Sequence, residues 1–301
     1  LVNPIWGLDA YVEKYINNVE ELDVSSYGVI VFNIFKTLLA LTFISVIAKN
    51  DKIKDSNKKW FYLLTVLLAN IYIVGTSRFS IILFSLPLLF LILQLIRKKD
   101  VRNVILISIT SIFIVLVSTS IAKYSRYGDT ATASSILTAQ SLNAYFAGPG
   151  LIAVGLDASS HISFYESILF FVNDSLQNIP MLSSLTTDDY KANVIFNESI
   201  YGHRLYADQI VPMSVSGSFH FGMLGVVIYS SLIFALSLMF ERLSYRTANI
   251  GFKYIYIYLS ISLSLVFMVN LSGTYAVLVR TFMFLFIPLL IVTYTPKFKF
   301  K

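Results

Sequence analysis

Seven stretches of continuous apolar sequence set the first constraint on this chain. They run over residues 27–48, 60–76, 79–96, 103–123, 217–240, 254–272 and 275–294, each near the roughly 17 to 25 residues a helix needs to cross a bilayer core. In hydrocarbon a backbone must satisfy its own N–H and C=O groups, which leaves helices or closed barrels as the spanning structures. Barrel strands alternate in polarity over about ten residues, whereas these runs are unbroken. The sequence therefore predicts an all-α fold, a polytopic transmembrane helical bundle forming a single integral membrane domain over residues 1–301. Residues 124–216 are expected to form a large, partly helical extracytoplasmic loop.

The basic residues orient those spans. Lys49, Lys52, Lys54, Lys58 and Lys59, then Arg97, Lys98, Lys99 and Arg102, then Arg242, Arg246 and Lys253, and finally Lys297, Lys299 and Lys301 fall on one face, 15 of the 23 Lys and Arg. Lys14, Arg78, Lys123, Arg126, Lys191, Arg204 and Arg280 lie on or nearest the other, and Lys36 falls inside the first span. Cytoplasmic loops carry such an excess of Lys and Arg, so the first face is read as cytoplasmic. The expected location is the cytoplasmic (inner) membrane, crossed several times.

Composition agrees. The chain is 56% hydrophobic and 13% charged, where soluble domains carry about a quarter charged residues. Its net charge of +6 suits loops facing anionic headgroups, so membrane lipids rather than nucleic acid are the expected partners. With no cysteine, disulfides, thiolate metal sites and a Cys nucleophile are excluded.

The chain begins at Leu1 without an initiator Met or a signal pattern, and is expected to be a piece of a longer protein with further spans upstream. Leu8, Tyr11, Val12, Tyr15, Ile16 and Val19 recur on one helical face, opposite Asp9, Glu13 and Glu20, which predicts a short interfacial helix within residues 1–26. Gly75, Thr76, Ser77 and Arg78 join the second and third spans as a tight hairpin. Within the long loop, residues 136–156 and 162–172 are moderately apolar. Gly148, Pro149 and Gly150 interrupt the first piece, which suits a broken or re-entrant helix; the alternative is that both pieces cross the membrane as a pair.

Three arginines stand against the charge bias at the outer boundary. Arg78 is at the hairpin tip, Arg204 is in the long loop, and Arg280 lies roughly 8 Å below the outer end of the last span at about 1.5 Å per residue. An intramembrane Arg costs about 2.5 to 3.5 kcal/mol on insertion scales and usually faces a polar cavity or partner. Arg280 therefore snorkels, pairs with a loop carboxylate such as Asp208, or binds an anion. The planar guanidinium fork suits phosphate oxygens, so several at headgroup depth form a candidate diphosphate site. Lys36, roughly 14 Å into the first span, reads equally as a buried hydrogen-bonded amine or a substrate contact.

The densest polar segment outside the cytoplasmic loops runs from Glu198 to Gln209. His203, Glu198 and Asp208 are the candidate catalytic groups, since an imidazole or carboxylate can take a proton from a hydroxyl. Tyr201 and Tyr206 are candidate sugar-stacking faces beside Arg204. The bland alternative is a solvated loop. His220 reads as a hydrogen-bonded helix residue and His161 as a loop residue. No phosphate-cradling loop or His-Glu-x-x-His pair occurs, and the adjacent Asp188 and Asp189 do not by themselves make a metal site.

Three stretches carry a likeness. They are Gly75-Thr76-Ser77-Arg78 leading into an apolar helix, the polar end of the large external loop, and Ser218-Phe219-His220-Phe221-Gly222-Met223-Leu224-Gly225 opening the next helix. With the topology, they make the chain resemble the bacterial oligosaccharide repeat-unit polymerases, the Wzy-type O-antigen and capsule polymerases. The resemblance implies a glycosyltransferase that moves a growing glycan from undecaprenyl diphosphate onto the next lipid-linked repeat outside the cytoplasmic membrane. It implies no cofactor, nucleotide sugar or metal, other polysaccharide assembly proteins as partners, and Arg78, Arg204 and Arg280 as diphosphate or glycan ligands. An O-antigen ligase, with the same donor and a different acceptor, is the near alternative. A flippase or transporter of the precursors is the distant one.

Overall fold

Long runs of Leu, Ile, Val and Phe without a polar period leave the backbone to bond within each segment, and the structure, a computed structural model, is helical accordingly. It describes residues 26–71, 78–96, 101–107, 109–110, 148–177, 179, 182–204, 210–266 and 271–294. Among these the regular elements are all helices. Residues 1–25, where the interfacial helix is expected, most of the fourth span and the loop before Gly148 lie outside the described residues.

Helix α1 (Ser26–Lys49), α2 (Asp55–Ile71) and α3 (Arg78–Leu95) come first. At the end of α1, Lys58 Nζ donates to the Ala48 carbonyl at 3.3 Å, and Lys49 occupies the last turn. Cations there satisfy free carbonyls and oppose the negative end of the helix dipole. Residues 101–107 form a further helical stretch. Contacts divide the chain into two units, residues 1–130 with 244–258 and residues 131–243 with 259–301. In the first, Ile44, Leu88, Leu91, Ile92, Tyr62 and Tyr254 are buried. Lys36 Nζ lies 4.1 Å from the centroid of the Phe84 ring, a cation–π contact that takes up the amine inside its apolar helix.

In the second unit, the segment expected to be partly helical folds as α4 (Pro149–Ser160), α5 (Phe164–Leu176), two 3-10 turns (Ser183–Leu185 and Asp188–Tyr190) and α6 (Ala192–Tyr201). Pro149 opens α4, where its missing N–H costs nothing. Ser163 and Glu166 close a capping box at the start of α5, with Glu166 accepting from the Ser163 amide at 2.8 Å. These helices gather on Phe170, Ala192, Phe196, Val211, Val215 and Phe219. Gly155 sits so close to Val215 that a Cβ there would collide with its methyls, so α4 can approach only because residue 155 has no side chain.

Helix α7 (Met213–Arg246), α8 (Ile250–Ser264), α9 (Leu271–Thr281), a π-helical turn (Phe282–Phe286) and α10 (Ile287–Tyr294) complete the chain. Met213–Arg246 and the continuous stretch Gly273–Tyr294 are long and apolar enough to cross a membrane, by length and composition. Met223, Leu224, Val227 and Phe234 on α7 and Val292 on α10 are exposed, an apolar surface of the kind that marks interaction with membrane or protein. Ser237 Oγ meets Ser264 Oγ at 2.8 Å and the Ser260 carbonyl at 3.0 Å. Such small hydroxyl contacts between apolar helices contribute about 0.6 kcal/mol each.

Candidate functional site

Two polar constellations in the second unit offer chemistry, one exposed and foreseen, the other buried. The exposed one is organised by Gly202. Helix α6 ends there with φ 73, and the Gly202 amide donates to the Glu198 carbonyl at 2.7 Å. Left-handed backbone suits glycine because it carries no Cβ to clash. The turn sends Arg204 back against its own helix, where Nε donates to Glu198 at 2.9 Å and Nη1 to Asp189 at 2.5 Å. Asp189 first and Glu198 second hold the guanidinium's proton above its ordinary value. The rings of Tyr201 and His203 stack, 6.0 Å between centroids and 15° between planes.

Of the predicted site, the structure thus pairs Glu198 with Arg204 and stacks Tyr201 on His203, on either side of Gly202. Asp208 and Tyr206 lie outside the described residues, as does the side chain of Arg78, whose backbone opens α3. Arg280 is exposed in the last turn of α9, two residues before the π-helical turn. No contact among the described residues joins Arg280 to the Arg204 group or supplies it an ion-pair partner. The two adjacent aspartates turn to different cations: Asp188 to Lys191 at 2.6 Å and Asp189 to Arg204.

The buried constellation is built on a break in α7. Phe221 (φ −142, ψ 23) and Gly222 (φ 60, ψ −151) leave helical geometry, so a short arm from Met213 meets a longer arm that runs to Arg246 at an angle. A Cβ on Gly217 would lie 2.6 Å from the Gly225 carbonyl oxygen, and a Cβ on Gly225 would overlap the Gly217 carbonyl. The arms therefore touch backbone to backbone. In a straight helix those residues would be about 12 Å apart at roughly 1.5 Å per residue.

His220 is the last residue before the break and has no exposed surface. Its Nε2 lies 2.9 Å from Asp174 Oδ2 on α5, and its Nδ1 lies 2.8 Å from the Tyr229 hydroxyl on the long arm of α7. Tyr275 on α9 packs against the apolar cluster that contains Tyr229. The other oxygen of Asp174 accepts from Gln177 at 2.9 Å and from the Ala192 amide at 3.3 Å. Next to it, Asn173 accepts from the Thr187 amide at 2.8 Å and donates to the Leu169 carbonyl at 2.9 Å. Phe171 and Phe221 close over the imidazole edge-on, 5.7 and 6.4 Å between centroids.

His220 is hydrogen-bonded within its helix bundle as expected, but its partners were not foreseen. Asp174 ends an apolar run and has no polar neighbour pattern that marks it. The cue available was the set of glycines about the histidine: Gly222, where the helix breaks, and Gly217 and Gly225, where two backbones approach.

Comparisons of the chain with protein-family models, curated proteins and solved structures found no match in any of the three.

Proposed function

We propose that this chain is a multi-pass glycosyltransferase of the cytoplasmic membrane that polymerises lipid-linked oligosaccharide repeat units at the outer face. The observation that carries the reading is that one short segment around Gly202 holds both a guanidinium paired with two carboxylates, Arg204 with Asp189 and Glu198, and a stacked phenol and imidazole, Tyr201 and His203. By the charge bias of the loops, that group lies on the extracytoplasmic side.

The chemistry follows from the parts. A stacked Tyr201–His203 pair presents an aromatic face suited to a sugar ring. Arg204 already serves two carboxylates, so it braces this surface. Arg280 has no such partner among the described residues and stands at an exposed position beside an irregular helical turn, a place where π-bulges are often functional. It is the better cation for a leaving diphosphate, where electrostatic stabilisation is often the largest catalytic contribution. The acceptor hydroxyl attacks the anomeric carbon of the donor, undecaprenyl diphosphate leaves, and a base takes the hydroxyl proton. Purified protein given lipid-linked repeats in vesicles should yield a ladder of glycan lengths. Single repeats alone, with the protein folded, would refute the reading.

One observation favours a second reading. Transporters place polar groups on discontinuous helices, and α7 is broken beside a buried His220–Asp174 pair. A flippase for the same precursors would move labelled lipid-linked sugar across vesicles with no chain growth.

A further inference from the structure

In the first unit, α2 and the helical stretch at residues 101–107 together line a cleft of about 200 Å³. Lys59, Trp60 and Leu63 form its α2 wall, and Asn103, Leu106 and Ile107 form the other, beside the buried Val104. Both walls follow the same order. Lys59 and Trp60 precede Leu63, and Asn103 precedes Leu106 and Ile107. At about 1.5 Å per residue, each wall passes from hydrogen-bonding to aliphatic side chains within about 6 Å along its helix. That is the order of headgroup and chain in an amphiphile.

The donors at the polar end determine what it can hold. The Lys59 ammonium and the Trp60 indole N–H only donate, and the Asn103 amide both donates and accepts. Among the described residues no carboxylate lines the cleft. Lys59 Nζ stands 5.8 Å from the centroid of the Trp60 ring, a cation–π distance, so the ring steadies the ammonium without cancelling its charge. A phosphodiester, an anion that only accepts, complements this set. The flanking sequence has the same sign. Five lysines from Lys49 to Lys59 stand against Asp51 and Asp55, and Arg97, Lys98, Lys99 and Arg102 stand against Asp100. Each Lys or Arg near an anionic leaflet contributes about 1 kcal/mol of attraction.

Size narrows the ligand further. Sites that enclose a whole small molecule run to about 300 to 1,000 Å³, more than this cleft offers. Trp60 and Leu106 at its rim are exposed, and Leu64 and Leu67 extend the exposed apolar stripe from Trp60 along α2. A ligand that fits therefore inserts one part and rests the remainder on apolar surface, as a lipid does.

We propose that this cleft binds one anionic phospholipid of the leaflet that faces the basic loops. Its phosphodiester meets Lys59, Trp60 and Asn103, and an acyl chain lies on Leu63, Leu106 and Ile107. The proposal goes beyond glycosyl transfer and does not depend on it.

Purified full-length protein in neutral detergent tests the site by native mass spectrometry and thermal unfolding. The probes are phosphatidylglycerol, phosphatidylcholine with the same acyl chains, and inorganic phosphate, which shares the anionic chemistry without the chain. One phosphatidylglycerol should be retained and should raise the unfolding transition, with phosphatidylcholine and phosphate both binding more weakly. Lys59→Gln should lower phosphatidylglycerol affinity about tenfold, the scale of one charge-assisted hydrogen bond. Leu106→Ser should also weaken it, by placing a hydroxyl on the chain's wall. Lys52→Gln removes an exposed lysine outside the cleft and should leave affinity unchanged. The lipid-free transitions of all three variants report that they are folded. Equal affinity for the two lipids, equal losses from Lys59→Gln and Lys52→Gln, or phosphate binding as tightly as phosphatidylglycerol would overturn the site. None of these readouts involves polymer, so failure of the polymerase reading leaves the test intact.

Discussion

The Gly217 carbonyl rests against the Cα of Gly225, its counterpart on the other arm of the same helix. This contact fixes how sharply α7 breaks, and the break fixes whether His220 can reach Tyr229 and Asp174 together. Backbone cannot yield as a flexible side chain does, so even one added methyl group here must push the arms apart.

Gly225→Ala is therefore expected to lower stability by about 1 to 3 kcal/mol, the usual cost of overpacking a filled site, read as a fall in the thermal transition in detergent. Gly202→Asn is the control. Gly202 has positive φ, but nothing lies within 4 Å of where its Cβ would be, and Asn tolerates that backbone better than other side chains. It should unfold close to wild type.

Asp174→Ala strips an acceptor from the His220 ring, the Gln177 amide and the Ala192 amide at once. A buried donor left unmatched costs about 1 to 3 kcal/mol, so the variant should lose more than Gly225→Ala. Asp174→Asn retains one acceptor oxygen and should fall between Ala and wild type in the same thermal measurement.

Much of the scaffold was legible because apolar length dictates helix. The run at 27–48 becomes Ser26–Lys49 and the run at 79–96 becomes Arg78–Leu95, since no charged group other than Lys36 interrupts them, Gly28 falls in the first turn of its helix and Pro87 is absorbed within its own. The apolar piece at 162–172 became α5, extended to Leu176 by a hydrophobic face that continues past Asp174. The break in α7 was hidden, because Phe221 is apolar and the run at 217–240 has no polar gap. So was the His220–Asp174 bond, which joins residues far apart in sequence and leaves no periodic trace. Glu198 and Arg204 were legible as a polar cluster, but that Asp189 completes it depends on a 3-10 turn no pattern announces.

The start of α5 should respond to acid. Hydrogen bonds from the Ser163 side chain and amide hold the Glu166 carboxyl below its ordinary value. A depressed folded value means the cap's contribution is present at and above the ordinary carboxylate range and is lost as pH falls through the lowered value. Amide-exchange protection at the start of α5 should therefore drop on acidification, and Ser163→Ala should show the reduced protection already at neutral pH. Protection that is flat with pH in wild type would contradict the capping box.

Arg280 and Arg204 should separate functionally. Arg280→Ala is expected to leave thermal stability near wild type and to cut polymer formation about 100-fold, as loss of one preorganised charge contact does in other sites. Arg204→Ala frees Asp189 and Glu198 and should loosen the turn at Gly202, seen as faster amide exchange there, with a smaller loss of polymer. Equal effects of the two on glycan length would mean that bracing and binding are not divided between them.

The absence of cysteine makes the orientation open to direct test, since an introduced thiol meets no background. Lys52 lies in the exposed turn between α1 and α2, and Phe164 is exposed at the start of α5. The charge bias assigns the first to the cytoplasm, because Lys49, Lys52, Lys54, Lys58 and Lys59 cluster there. It assigns the second to the outside, with an odd number of crossings between them. In intact cells a membrane-impermeant maleimide should label Phe164→Cys, and should label Lys52→Cys only after the membrane is opened. Labelling of both positions from one side would put the Asp189–Arg204 cluster on the same side as the basic loops, where lipid-linked repeats have not yet been translocated, and would remove the topological basis for polymerisation at the outer face.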